Sequence, residues 1–296
     1  MKEFTITPND DGKRIDAFLK KLMPTASTSL IYKYIRTNKV KVNRKKPKEN
    51  TRLCTGDEVR VFGDDSLFET KTFKPAAYSL DVIYEDDNLI IINKPAGIAC
   101  QPDSIRKSGT LADFVKSYLF EKGEYTPEKE NTFSPALCNR IDFNTSGLVI
   151  AAKNMPTLRL INQKLRTHEI RKFYVCKTKN TPPDKTGVIK GQLLKDSSNK
   201  SRIVDQGGKY AETHYRVLSS DKDGCIIEVE IITGRSHQIR VHLSSIGCPI
   251  SGDAKYGDSG KGQLLCSYKT LFDFKDDAGH LEYLRGKSFE IKNPFI

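Results

Sequence analysis

The chain lacks any closely spaced cysteine pair, has no long apolar run, and carries too few acids to balance its bases. Seven cysteines (Cys54, Cys100, Cys138, Cys176, Cys225, Cys248, Cys266) are scattered along it with no C-x-x-C and no Cys/His cluster. That argues against a zinc site and predicts buried free thiols in a reducing compartment. No window approaches the roughly 18 apolar residues of a membrane span. Met1-Lys2-Glu3-Phe4-Thr5 has no apolar stretch after its basic residue, so no signal peptide is read there and a cytoplasmic location is expected. Lys and Arg number 49 against 37 Asp and Glu, a net charge of +12, which favours a polyanionic partner.

What is present is unevenly distributed. Residues 1–63 hold fifteen Lys/Arg and seven Asp/Glu, so they contribute +8 of the +12. This stretch predicts a compact unit of its own. Apolar residues at 15, 18, 19 and 22 have helical spacing, and Pro24 ends that helix. Ser27 or Thr28 can cap a second helix, with Leu30, Ile31, Tyr34 and Ile35 on one face. Val40-Lys41-Val42-Asn43 alternates as a strand, and Gly56-Asp57-Glu58-Val59-Arg60-Val61 reads as a turn and a second strand.

Residues 64–77 are polar and irregular, as a linker would be, leaving 78–296 as a second domain. There Val82-Ile83-Tyr84, Leu89-Ile90-Ile91-Ile92 and Leu148-Val149-Ile150-Ala151-Ala152 read as strands, and Met155 to Leu165 as a helix with Pro156 near its start. Residues 178–209 are rich in Lys, Asp, Ser and Gly, and most are expected to be connecting loops. Ser236 can cap a helix whose Ile239, Leu243 and Ile246 share a face, stopped by Gly247-Cys248-Pro249.

Two segments carry the chemistry. Asn139-Arg140-Ile141-Asp142-Phe143-Asn144-Thr145-Ser146-Gly147-Leu148 sets an Arg and an Asp before a turn and a buried strand, so Asp142 stands at the mouth of a sheet. About ninety residues on comes Thr233-Gly234-Arg235-Ser236-His237-Gln238-Ile239-Arg240-Val241-His242. In this order they resemble the pseudouridine synthases of the large-subunit ribosomal RNA type, the RluA-like family, which carry H-R-L-D-x-x-T-S-G-L and later G-R-S/T-H-Q-I/L-R-V-H. Asn93-Lys94-Pro95-Ala96-Gly97 matches that family's N-K-P-x-G, and Pro249 to Gly257 its P-I-x-G-D-x-x-Y-G. The N-terminal stretch is similar to the small RNA-binding domain first described in a small-subunit ribosomal protein, through Arg14-Ile15-Asp16, Val40-Lys41-Val42-Asn43 and Gly56-Asp57-Glu58-Val59. It departs from that pattern at Ser27-Thr28, where S-R is usual, and at Asn38, where Gly is common and Asn can still adopt the left-handed conformation.

The resemblance implies an α+β fold: a small helix-helix-strand RNA-binding domain, then a catalytic domain with a bent mixed, mostly antiparallel sheet flanked by helices. It implies an isomerase that breaks a uridine glycosidic bond, turns the base and rejoins it through carbon 5. That needs no cofactor and no metal, but it does need an ionised carboxylate, a cation to hold it and a pocket that excludes water. By the resemblance Asp142 is the catalytic carboxylate, and Arg240 is the guanidinium paired with it. Tyr174, in the match to a K-x-Y strand, is the ring that stacks on the target base, its hydroxyl assisting proton removal from carbon 5. Arg140, by the same resemblance, enters the RNA stack or contacts the displaced strand when the uridine is flipped out. Lys94, Lys33, Arg36, Arg44, Lys45 and Lys46 are candidates for contacts to RNA phosphates. His237 and His242 are expected to orient the cleft by hydrogen bonding.

Three departures fall near the site: Asn139 for the usual His, Phe143 for a frequent Arg, and Leu265-Cys266-Ser267-Tyr268 where L-x-L-H-A is common. The reading is therefore a monomeric RNA pseudouridine synthase with ribosomal RNA as partner and no membrane contact. A synthase acting on transfer RNA, and a catalytically idle RNA-binding or ribosome-assembly protein on the same fold, remain as alternatives. An unrelated glycosidase would want two carboxylates flanking a sugar bond, and the motif offers one.

Overall fold

A computed structural model describes residues 1–68, 73–77, 79–197, 200–222, 224–260 and 262–295. In the N-terminal unit strands β1 (Lys2–Thr5), β2 (Val40–Val42) and β3 (Glu58–Val61) form an antiparallel sheet, with β3 in the middle. Helices α1 (Ile15–Leu22) and α2 (Thr28–Arg36) pack with it. Ser27 caps α2 by accepting from Leu30 N, and Asn38 takes a φ of 62°, so both sequence expectations hold. Ile15, Phe18, Leu19, Ile31, Ile35 and Val59 build a core separate from the rest of the molecule. Leu67 and Phe68, read from sequence as linker, instead close this core: a 3-10 turn capped by Asp64 folds Phe68 back against Phe4. Residues 69–72 of the expected linker lie outside the described residues.

The remainder runs β4 (Val82–Glu85), β5 (Leu89–Lys94), α3 (Leu111–Glu121), β6 (Ala136–Leu137), β7 (Ser146–Ala152), α4 (Met155–Arg166), β8 (Ile170–Thr178), β9 (Thr186–Lys195), β10 (Ser201–Val204), β11 (Lys209–Asp221), β12 (Gly224–Ile231), α5 (Gln238–Ser245), β13 (Leu265–Phe272) and β14 (Ser288–Glu290). These strands make one sheet in the order β10-β9-β11-β12-β8-β13-β7-β5-β4, with β14 on β13 and β6 on β7. Every pairing is antiparallel except β13 with β7. The fold is α+β with a large mixed, mostly antiparallel sheet.

The central strands are apolar on both sides because both faces are covered. Ile90, Ile92, Val149 and Ala151 face a core shared with α3 and α5, while Leu89, Ile91, Leu148 and Ile150 face Ile161 of α4. The parallel junction brings backbones so close that a Cβ at Gly147 would lie 2.2 Å from the Ser267 carbonyl oxygen, and Gly147 has φ 110°. Only glycine fits there.

Residues 178–209 correct the loop expectation in part, since β9 and β10 occupy fourteen of these thirty-two positions. Only Ile189 and Leu193 of β9 are buried, with exposed Val188, Lys190 and Leu194 on its other face. A half-covered strand at the end of a sheet shows polar residues that read as loop. Residues 198 and 199 lie outside the described residues. Among the cysteines, Cys54 is exposed, against expectation, and five others are buried.

The two units meet at a buried carboxylate. Asp10 accepts from Lys13 Nζ at 2.9 Å and from Asn131 Nδ2 at 2.9 Å, and the Thr132 hydroxyl also donates to it. Asn131 Nδ2 donates to Thr5 O as well, and Asn9 takes the backbone N–H of Met155. Among the described residues no helix is long and apolar enough to cross a membrane.

Candidate active site

Asp142 sits on the short segment between β6 and β7, ahead of the Phe143–Asn144 turn that Thr145 N closes by donating to Asp142 O at 3.1 Å. Its side chain is 29% exposed, at a cavity of about 600 Å³. Arg140, Lys172, Tyr174, His237 and Arg240 line the same cavity. A void of that size accepts a nucleotide-sized ligand.

Arg240, in the first turn of α5, carries the geometry. Its Nε and Nη2 donate to Asp253 Oδ2 and Oδ1 at 2.7 and 2.8 Å, and its Nη1 donates to Asp142 Oδ2 at 2.9 Å. Asp253 is almost fully buried, so the fork is fixed on one edge and offers its remaining nitrogen to the carboxylate at the cavity. Burial works against the guanidinium charge, but the bonds to Asp253 and then to Asp142 outweigh it and hold the pKa above its ordinary value. Below the fork lies the Tyr256 ring, its centroid 5.0 Å from the guanidinium carbon. The Tyr256 hydroxyl accepts from Ser201 N and bonds His237 Nδ1 at 2.7 Å.

Tyr174 projects from β8 into the cavity and is 6% exposed. Burial pushes its phenol strongly up, and the charge of Asp142 adds to the shift. The hydroxyl therefore stays protonated at neutral pH.

Lys94 corrects the sequence reading. It does not face an RNA backbone: it is wholly buried, and its ammonium donates to Pro95 O, Ile98 O and Phe143 O at 2.8, 2.9 and 3.2 Å. Burial pushes it down to about 8, opposed by Cys100 and then Asp142. The Asn93–Gly97 turn thus works as a cradle: Lys94 and Gly97 N both bind the carbonyl of Phe143, the residue after Asp142. On the outer side the Arg106 guanidinium stacks on the Phe143 ring at 3.8 Å. Asn139 accepts from Ile150 N, so this departure from the family pattern has a structural role.

Ser236 does not cap α5. The helix starts at Gln238 after His237, which has φ 55° in the left-handed region, an uncommon conformation stored at a site. The loop is held instead by buried Gln238, which accepts from Thr233 Oγ1 and Arg235 N and donates to Glu212 O and Thr213 Oγ1. Burial lowers the pKa of His237, and it pushes His242 down to about 4. His242 lies away from the cavity, bonded to Thr213. Both imidazoles are neutral at pH 7.

Arg140 is exposed at the cavity rim. Lys33, Arg36, Arg44, Lys45 and Lys46 are all exposed on the N-terminal unit, outside the cavity lining and without an ion-pair partner among the described residues. Sequence reasoning missed Asp253, Tyr256 and Gln238. All three lie inside matched motifs, and an acid and an aromatic residue in Gly252-Asp253-Ala254-Lys255-Tyr256 were the available signal.

Comparison with known proteins agrees with this geometry. The family model described as RNA pseudouridylate synthase matches residues 88–245. An RNA pseudouridine synthase of Bacillus subtilis is 33% identical over 88% of this chain and 83% of its own length. Ribosomal large subunit pseudouridine synthase C of Vibrio parahaemolyticus is 33% identical over 83% of this chain and 77% of its own. Among solved structures, human RNA pseudouridylate synthase domain containing 4 superposes with a TM-score of 0.56 at 23% identity, over 72% of this chain and 88% of that one, a likeness of fold.

Proposed function

The chain belongs to the RNA pseudouridine synthases, isomerases of RNA uridine, and from that premise we propose that Asp142 is the carboxylate that opens the glycosidic bond. The observation that carries this is the three-membered chain Asp253–Arg240–Asp142, buried at one end and open to a cavity at the other. Arg240 pairs with Asp142 and aims it, so that its free oxygen meets the anomeric region of a uridine in the cavity. Tyr174 stacks on the uracil and walls it from water, and Arg140 at the rim fills the place the flipped nucleotide leaves.

The substrate in this reading is large-subunit ribosomal RNA, as it is for the relatives named for that subunit, and the enzyme works as a cytoplasmic monomer. The N-terminal unit grips phosphates through Lys33, Arg36, Arg44, Lys45 and Lys46 and takes no part in the chemistry. Mapping pseudouridines in RNA from cells with and without the gene tests the substrate. Loss of one or more sites in large-subunit RNA is expected; loss confined to transfer RNA would overturn the ribosomal assignment.

A further inference from the structure

Lys172 is a cation in the cavity with nothing among the described residues to neutralise it. It stands two residues before Tyr174 on β8, so both side chains leave the same face of the sheet, and both line the cavity. Its ammonium reaches the Thr233–Arg235 loop, where a Cβ added to Gly234 would lie 3.8 Å from Nζ. Unlike those of Lys94 and Arg240, its side chain makes no hydrogen bond or ion pair to another described residue. Burial alone pushes it down to about 8. A desolvated ammonium without a counter-ion is costly, and a formal anion repays that cost better than a neutral carbonyl does.

The position selects the anion. Two residues along a strand is about 7 Å. A nucleotide stacked on Tyr174 with its sugar at Asp142 therefore brings a flanking phosphate within reach of Lys172. Resting on the function proposed above, we infer that Lys172 is the seat for an RNA phosphate adjoining the target uridine, so that the flipped nucleotide is held by its backbone as well as by its base.

The test is a scan with single methylphosphonates, which remove one phosphate charge at a time, placed around the uridine in a short stem-loop substrate. Wild-type enzyme should lose roughly 10- to 100-fold in kcat/KM at one flanking position, the range for one charge-assisted contact. Lys172→Gln should show a similar loss on unmodified RNA, mainly in KM, and no further loss at that position. Lys172→Arg should restore sensitivity there. The inference is overturned if no flanking methylphosphonate slows the wild type, or if Lys172→Gln remains as sensitive as the wild type at every position. Should wild-type enzyme form no pseudouridine in any ribosomal RNA substrate, the proposed function fails instead.

Discussion

In the N-terminal unit Lys33, Arg36, Arg44, Lys45 and Lys46 stand in solvent, whereas in the second unit Lys94 and Arg240 are buried with each donor directed at a named oxygen. The same two residue types do different work in the two places. Solvated cations act together through a field that salt screens, so any one can be removed at small cost. A buried cation fixes a geometry, and its removal strands the oxygens it served.

The contrast is broken most severely at the carboxylate that buried Arg240 serves. Asp142→Asn keeps the shape but removes the charge, and turnover should fall by about 1,000-fold or more while RNA affinity stays within about twofold. Tritium release from carbon-5-labelled uridine RNA reports the first quantity and filter binding the second; appreciable release by the variant would remove Asp142 from its role.

Arg240→Met comes next. It strands Asp253 in the interior and frees Asp142, so activity should drop by about 100-fold or more and stability by about 3–5 kcal/mol. Urea unfolding beside the tritium assay separates the two losses, and an active, stable variant would sink the fork as the source of aim.

Lys94→Met should cost about 1–3 kcal/mol through the carbonyls it leaves behind. The salt dependence of RNA binding should not change, unlike the flattening expected on removal of a phosphate ligand.

Lys13 is an N-terminal cation that breaks the pattern, since it is bound to buried Asp10. Burial raises the Asp10 pKa, but bonds from Thr132, Lys13 and Asn131 outweigh it and hold the group below its usual 3.8. A carboxyl depressed in the folded state adds stability above the unfolded pKa and loses it as pH falls. Asp10→Asn should therefore be destabilised at pH 7 by about 1–2 kcal/mol. Melting curves of variant and wild type should converge below pH 3.8; a constant gap would contradict the linkage.

The smallest effect belongs to the solvated set. Lys45→Glu with Lys46→Glu should flatten the slope of log affinity against log salt by about 0.7–0.9 for each RNA phosphate that is no longer neutralised, with kcat unchanged at saturating RNA. An unaltered slope would make this face merely solvated.

Legibility follows the same division. Leu89–Ile92 and Leu148–Ala152 are readable as strands because burial on both faces leaves an unbroken apolar run, while β9 and β10, covered on one face only, resemble loop. Asp142, Tyr174 and Arg240 can be read because each lies in a short dense motif. Asp253 cannot be joined to Arg240 from sequence, because their contact depends on a loop folding back across thirteen positions. Lys94 misleads for a related reason: a lysine beside Pro-Ala-Gly looks solvated, and nothing local says that three carbonyls converge on it.

Strand β13 gives the molecule an order of assembly. It is inserted between β8 and β7, and no other described strand pairing links the β4–β7 portion to the β8–β12 portion. Asp142 belongs to the first portion, and Tyr174 and Arg240 to the second. On the ribosome, then, the acid and its cation are made about a hundred residues apart and remain on separate sheets until Leu265–Phe272 has been synthesised. A nascent chain stopped before that point holds all three site residues without the strand that brings them together.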